Sequence, residues 1–232
     1  MSDDSHSADA QSSATPPFRD ELCSAAAQLG LPMEPAVADR LLAYLALLRR
    51  WNKVYNLSAV RDPAEMLTHH VLDCLAVVPP LQRHAKGRPL RILDVGSGGG
   101  LPGVVLAIMQ PEWSVTCVDA VAKKASFVRQ VAGDLALPNL RSVHARVEDM
   151  PASAQFDLIV SRAFASLADF TTWSRERLAP GGVWLAMKGR APDDEVAELG
   201  PDVSVFHVEP LRVPGLPAQR CLVWLNASPK AP

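Results

Sequence analysis

The chain has 232 residues, of which 48% are hydrophobic and 21% charged, and its formal net charge is −2. That balance suits a globular protein of one ordinary domain, or one domain with a small appendage, and excludes a uniformly basic nucleic-acid binder. No apolar run approaches the roughly 20 residues of a membrane helix, so no membrane association is expected.

Residues 1–20 hold four acids (Asp3, Asp4, Asp9, Asp20) against one base, Arg19, and their polar, Ser/Ala-rich start reads as a flexible tail. A helical region is expected over 21–88. Within it, 34–51 (EPAVADRLLAYLALLRRW) sets Val37, Leu41, Tyr44 or Leu45, Leu48 and Trp51 at spacings of three and four, an amphipathic helix with a basic end. A second helix opens at Asp62-Pro63-Ala64-Glu65, with Asp as N-cap, Pro in the first turn and Glu at the capping-box position, and is expected to stop at Pro79-Pro80. His69 and His70 point about 100° apart on such a helix, so they do not share a metal ion. The stretch 40–91 carries nine Arg or Lys against three acids, Asp62, Glu65 and Asp73. It is either a solvated face or a contact for a polyanion.

A core domain is expected over 89–232. Strand candidates are 91–95 (RILDV), 114–119 (SVTCVD), 141–145 (RSVHA), 156–161 (FDLIVS) and 183–188 (VWLAMK), with helical stretches near 103–110, 122–135 and 167–178. Apolar strands separated by helices indicate an α/β fold with an open parallel sheet wound on both sides. LAPGG (178–182) reads as a helix end and turn into the fifth strand. The chain closes with 203–211 and 220–226 and no helix between them, a C-terminal hairpin that dinucleotide-binding halves do not share. Cys23, Cys74, Cys117 and Cys221 lie far apart without a CxxC pair. They point to no metal site and to a reducing cytoplasm.

The glycine turn LDVGSGGGLPG (93–103) carries the chemistry. A dinucleotide fingerprint needs glycine at position 101, where this chain has Leu101, and no Gly-Lys-Ser/Thr of a Walker loop follows. What remains, Asp-x-Gly-x-Gly-x-Gly, is similar to the cofactor loop of class I S-adenosylmethionine-dependent methyltransferases. A turn without side chains lets backbone run against the methionine part and ribose of that cofactor. Asp119 ends the next strand, where an acid binds the vicinal ribose hydroxyls. Such an acid serves NAD as well, so only the turn, the acid and the terminal hairpin together favour the methyl donor.

Longer stretches extend the likeness: WNKVYNLSAVRDPAEML (51–67), HVLDCL (70–75), DVGSGGGLPG (94–103), RVED (146–149), SRAFASL (161–167) and MKG (187–189). Through them the chain, over roughly 25–226, resembles the RsmG family, also called glucose-inhibited division protein B, which methylates guanine N7 in bacterial 16S rRNA. It departs in its polar tail, and in Gly99, where the family often has Pro. The resemblance implies a Rossmann-like methyltransferase sheet, S-adenosyl-L-methionine as the only cofactor, no metal, and 16S rRNA or the small ribosomal subunit as partner of a monomeric, cytoplasmic enzyme. It also implies cofactor contacts at Gly96, Leu101, Val147 and Glu148. By the same resemblance Arg162 is expected to border the cofactor where the guanine enters, as the one candidate catalytic residue. Ser97 and Gly98 in the turn, with Asp119 and Ala120 after the second strand, complete the expected set.

The residues restrict the chemistry. No Cys stands near Ser161-Arg162-Ala163-Phe164 to attack a pyrimidine carbon, and that segment is not the Asn/Asp-Pro-Pro-aromatic turn of exocyclic-amine methylation. Guanine N7 has an in-plane lone pair and no proton to lose, so it needs positioning rather than a base. Phe164 is read either as a base-stacking residue or as part of the core. Two other readings remain open: a class I methyltransferase of another RNA, a protein or a small molecule, and a ribosome-associated binding protein without turnover.

Overall fold

The computed structural model describes residues 18–162, 164 and 166–228, so most of the expected tail lies outside the described residues. Seven strands form one sheet in the order β3-β2-β1-β4-β5-β7-β6. They are β1 (Arg91–Val95), β2 (Ser114–Asp119), β3 (Leu140–His144), β4 (Phe156–Arg162), β5 (Leu178–Lys188), β6 (Val203–Leu211) and β7 (Arg220–Ala227). The first five are parallel. The C-terminal hairpin is antiparallel, with β7 inserted between β5 and β6. The expected α/β class, mostly parallel sheet and terminal hairpin are all present.

Alternation along the strands divides the interior in two. Ile92, Val115, Cys117 and Leu185 pack on one face with the N-terminal helices, whereas Leu93, Val95, Val118 and Trp184 pack on the other. The N-terminal helices are α1 (Arg19–Gln28), α2 (Pro35–Tyr55), α3 (Pro63–Met66), α4 (Asp73–Leu75) and α5 (Val78–Ala85). Their buried side chains belong to the same cluster as the first sheet face. α6 (Gly103–Met109) joins β1 to β2 and α7 (Ala122–Asp134) joins β2 to β3. α8 (Leu167–Ser174) follows β4, and the short α9 (Asp193–Ala197) follows β5.

Local chemistry explains most boundaries. α2 takes Pro35 in its first turn and ends at Asn56, which adopts φ 48°. Asp62 caps α3, its Oδ1 accepting from the amides of Ala64 (2.9 Å) and Glu65 (3.0 Å). Three expectations need correction. The helix opened by Asp62 is not regular: Leu67–Leu72 form a π-turn. Pro79-Pro80 do not stop it but sit in the first turn of α5, where proline's missing amide costs no hydrogen bond. LAPGG is not a turn before β5 but part of it. Leu178 pairs with Phe156, and the register shifts before Val183 pairs with Leu158, which Gly181 accommodates at φ 75°.

Candidate active site

The C-terminal ends of β1, β2, β3 and β4 and the turns beyond them enclose two cavities that share one wall, Gly96. The larger, about 450 Å³, is lined by Gly96–Gly99, Leu101, Arg162 and residues from α2, α4, β5 and β7. The smaller, about 120 Å³, is lined by Val118, Asp119, Ala120, Val147, Glu148, Phe164 and Trp173. Gly96, Ser97, Gly98, Leu101 and Arg162 thus meet on one side, and Asp119, Ala120, Val147 and Glu148 on the other. Every residue of the expected cofactor and catalytic set lines one of the two.

The glycine turn is held from three directions. The amides of Gly96 (2.9 Å) and Ser97 (3.2 Å) donate to the carbonyl of Val118, docking the turn on β2. Asp119, buried at the strand end, accepts from the Gly98 amide through Oδ2 (2.9 Å) and from the Val121 amide through Oδ1 (2.8 Å). From below, the buried Tyr44 hydroxyl of α2 donates to the Gly99 carbonyl at 2.7 Å. Gly96, Gly98 and Gly100 all have positive φ, which side-chain-bearing residues rarely adopt.

Asp119 therefore does more than its position at a strand end suggests: it organises the turn while facing the smaller cavity. Lys124 Nζ also lies 3.9 Å from Oδ2, and a carboxylate oxygen can accept more than one hydrogen bond. The apolar side chains of Val118, Val147 and Phe164 line the cavity beside that acid. Phe164 stands 5.5 Å from Trp173 and 5.6 Å from Phe170 between ring centroids, and a Cβ on Gly96 would touch its ring at 3.7 Å. Its ring belongs to this cavity and not to the larger one. Asp119→Ala is expected to weaken S-adenosylmethionine binding by about 1.5–3 kcal/mol, the scale of hydrogen bonds to a charged group. Titration calorimetry checks this, and an unchanged affinity would remove Asp119 from the site.

The larger cavity contains what sequence reading missed. Asp73, 2% exposed, accepts from Arg220 Nε through Oδ1 (2.9 Å) and from Arg162 Nη1 through Oδ2 (3.3 Å). Arg162 Nη1 also donates to the His69 carbonyl at 2.9 Å. Lys188, at the end of β5, donates to both oxygens of Glu195 (2.9 and 2.7 Å), and Glu195 in turn accepts from the Leu167 amide at the start of α8 (2.8 Å). The signal in the sequence was faint: one acid inside the apolar run VLDCLAVV, and one base opening the apolar strand RCLVWL. Both sit where burial excludes a charge unless a partner is near.

His70 is buried, and its Nε2 is hydrogen-bonded to Ser58 Oγ at 2.7 Å, fixing the loop after α2 against the cavity. Ser58 and Asn52 brace that loop further through Val60 and Ser58 backbone groups. Burial, aided by the Arg162 charge, lowers the His70 pKa to about 4. Asp94 is wholly buried beneath the turn, one oxygen accepting from the Gly103 amide (2.8 Å) and the other unpartnered. Burial raises its pKa to about 7 against the pull of that amide.

The two groups titrate through one window with opposite sign. His70 contributes stability that is present above pH 6.5 and lost as the pH falls towards 4. Asp94 contributes stability that is present below its ordinary range and lost as the pH rises towards 7. In His70→Gln only the Asp94 response remains. Its stability at about pH 4.5 relative to pH 7 should exceed the parent's by about 1–3 kcal/mol in urea titrations. The same pH response in both proteins would show that His70 is not a buried neutral group. Among the described residues no group of three or more His, Cys, Asp or Glu could hold a metal ion, and no helix is long and apolar enough to cross a membrane.

A parallel sheet finished by a reversed hairpin, a glycine turn after β1 and an acid at the end of β2 define a class I S-adenosylmethionine-dependent methyltransferase. Solved structures share that fold. A Burkholderia thailandensis 1,6-didemethyltoxoflavin-N1-methyltransferase with bound S-adenosylhomocysteine superposes with a TM-score of 0.54 at 18% identity, covering 81% of this chain and 90% of its own. The glycopeptide N-methyltransferase MtfA complexed with S-adenosylmethionine gives 0.55 at 14% identity, over 69% of this chain and 96% of its own. The GidB family model, described as rRNA small subunit methyltransferase G, matches residues 38–223, and the chain belongs to that family. "Ribosomal RNA small subunit methyltransferase G" of Acidovorax sp. (strain JS42) is 61% identical over 217 residues, 90% of this chain and 95% of the relative. The protein of the same name from Leptothrix cholodnii is 57% identical over 210 residues, 90% and 96% of the two chains.

Proposed function

We propose that the protein methylates N7 of a specific guanine in the 16S rRNA of the small ribosomal subunit. Its relatives' names supply the rRNA and the subunit. The observation that favours N7 is the lining of the larger cavity. Its one carboxylate, Asp73, is committed to two arginines, and His70 lies behind Ser58. An amine or a hydroxyl must lose a proton on methylation, and among the described residues this lining offers no free group to take it. N7 asks only for a fixed approach.

Bound S-adenosylmethionine supplies an electrophilic methyl group on a sulfonium. The residues proposed to hold it are Gly96, Ser97, Gly98 and Leu101 towards the larger cavity and Asp119, Ala120, Val147 and Glu148 around the smaller. Arg162 stands at the entrance, its fork suited to purine acceptors or to stacking on the ring. Orientation of this kind supplies about 7–11 kcal/mol in favourable systems. The deciding experiment is to incubate the protein with labelled methyl donor and 30S particles lacking the modification, then map the product by mass spectrometry. Label on any atom other than a guanine N7 overturns the reading.

The basic stretch 40–91 divides in space. Arg83 pairs with Glu209, and Arg91, at the N-terminal end of β1, pairs with Asp157. Arg49, Arg50 and Lys53 are exposed on the last turns of α2, next to Leu48 of the larger cavity. Reversing those three charges is expected to weaken rRNA binding and flatten its salt dependence by about three counterions. An unaltered slope in filter binding would leave them as a solvated face.

A further inference from the structure

Two arginines from different strands, Arg162 of β4 and Arg220 of β7, converge on one carboxylate supplied by α4. The side chains of both are about three-quarters buried, at 23% and 22% exposure, and Asp73 is almost wholly so. Two cations against one anion leave one positive charge uncompensated in a partly dry cavity. An unpaired charge in such a place is costly unless something answers it. Glu195 does not supply the missing negative charge, because it is committed to Lys188. The bonds to Asp73 leave further guanidinium donors on both residues, and both line the cavity.

The π-turn accounts for the placement. In a regular helix the Asp73 amide would bond to the His69 carbonyl, four residues back. Here it bonds to Thr68, five back, and to His70. The His69 carbonyl is left to Arg162, and the same turn brings the Asp73 side chain between the arginines. π-turns inside helices concentrate at functional sites.

We propose that Asp73 is a positioning residue that holds Arg162 and Arg220 as one clasp for an anion, a carboxylate or a phosphate. Two groups carry that chemistry at this place: the methionine carboxylate of the cofactor and a backbone phosphate of the target nucleotide. The proposal rests on the cofactor and rRNA readings above.

The test uses the full chain, Asp73→Asn and Arg220→Gln, and two nucleosides. S-adenosylhomocysteine carries the carboxylate and 5′-methylthioadenosine lacks it. If the cofactor carboxylate is the anion, both variants lose about tenfold or more in affinity for S-adenosylhomocysteine and keep 5′-methylthioadenosine within about twofold. If the phosphate is the anion, both nucleosides bind as before, and the KM for unmodified 30S particles rises by about tenfold or more with kcat less affected. Equal losses for both nucleosides would mean that Asp73 merely supports the fold, and unchanged affinities and KM would remove the clasp; either result overturns the proposal. Arg220→Lys, which keeps the charge without the fork, should fall between the parent and Arg220→Gln, and it stands in should Asp73→Asn not fold. Failure of the parent to bind either nucleoside is a separate outcome, which overturns the cofactor reading instead.

Discussion

Arg162→Ala is expected to slow methyl transfer by about 10²–10³-fold, because misplacement of reacting atoms by an ångström already costs about 10²-fold. The guanidinium touches three things at once: the His69 carbonyl, the Asp73 carboxylate and the open cavity beside the glycine turn. Truncation removes the group at the entrance and leaves Asp73 with Arg220 as its single charged partner. Stability should suffer less than turnover, by about 1–3 kcal/mol for hydrogen bonds to a charged group. Single-turnover rates on 30S particles, set beside urea titrations of the same protein, separate the two effects. A rate within about threefold of the parent would reduce Arg162 to a structural ion-pair partner.

The second large effect is on stability. Gly100 has φ 82°, and a Cβ there would lie 2.4 Å from Val104 Cγ2 and 3.2 Å from Val128 Cγ2. Both valines are wholly buried, on α6 and α7, so neither can step aside cheaply. Gly100→Ala therefore combines a left-handed backbone with overpacking and should cost about 2–5 kcal/mol. Gly98 supplies the control. It also has positive φ, at 56°, yet its added Cβ meets nothing nearer than the Gly96 carbonyl at 3.9 Å. Gly98→Ala should cost about 1 kcal/mol, the backbone part alone. Equal urea midpoints for the two variants would mean that the valines do not confine the turn.

What the sequence disclosed follows a physical division. The strand boundaries of β1, β2 and β6 were legible because apolar runs bounded by polar residues report local burial directly. The glycine turn and Asp119 were legible for a similar reason: all of them lie within one strand-turn-helix-strand segment. The departures occur where distant contacts decide. β5 starts at Leu178 because Phe156 of β4 offers an edge there, which PGG alone does not announce. The pairing of Asp73 with Arg220 spans 147 residues and needs the terminal hairpin to fold back between β5 and β6. Phe164, the ambiguous aromatic, was resolved by Trp173 and Phe170 on the following helix.

The π-turn at Leu67–Leu72 gives the helix that follows Asp62 a phase. Each residue of a regular helix advances the side chain by about 100°, so one residue wound into a wider turn sets the angle of everything after it. Met66 precedes the offset and Cys74 and Leu75 follow it, yet all three are buried in the same core. Restoring regular winding with every residue kept would carry Asp73 about a quarter-turn away from the arginines, whereas deleting one residue within 67–72 at the same time would leave its direction unchanged. Insertions and deletions in this segment are thus restricted by rotation rather than by length, although the segment never approaches the glycine turn in sequence.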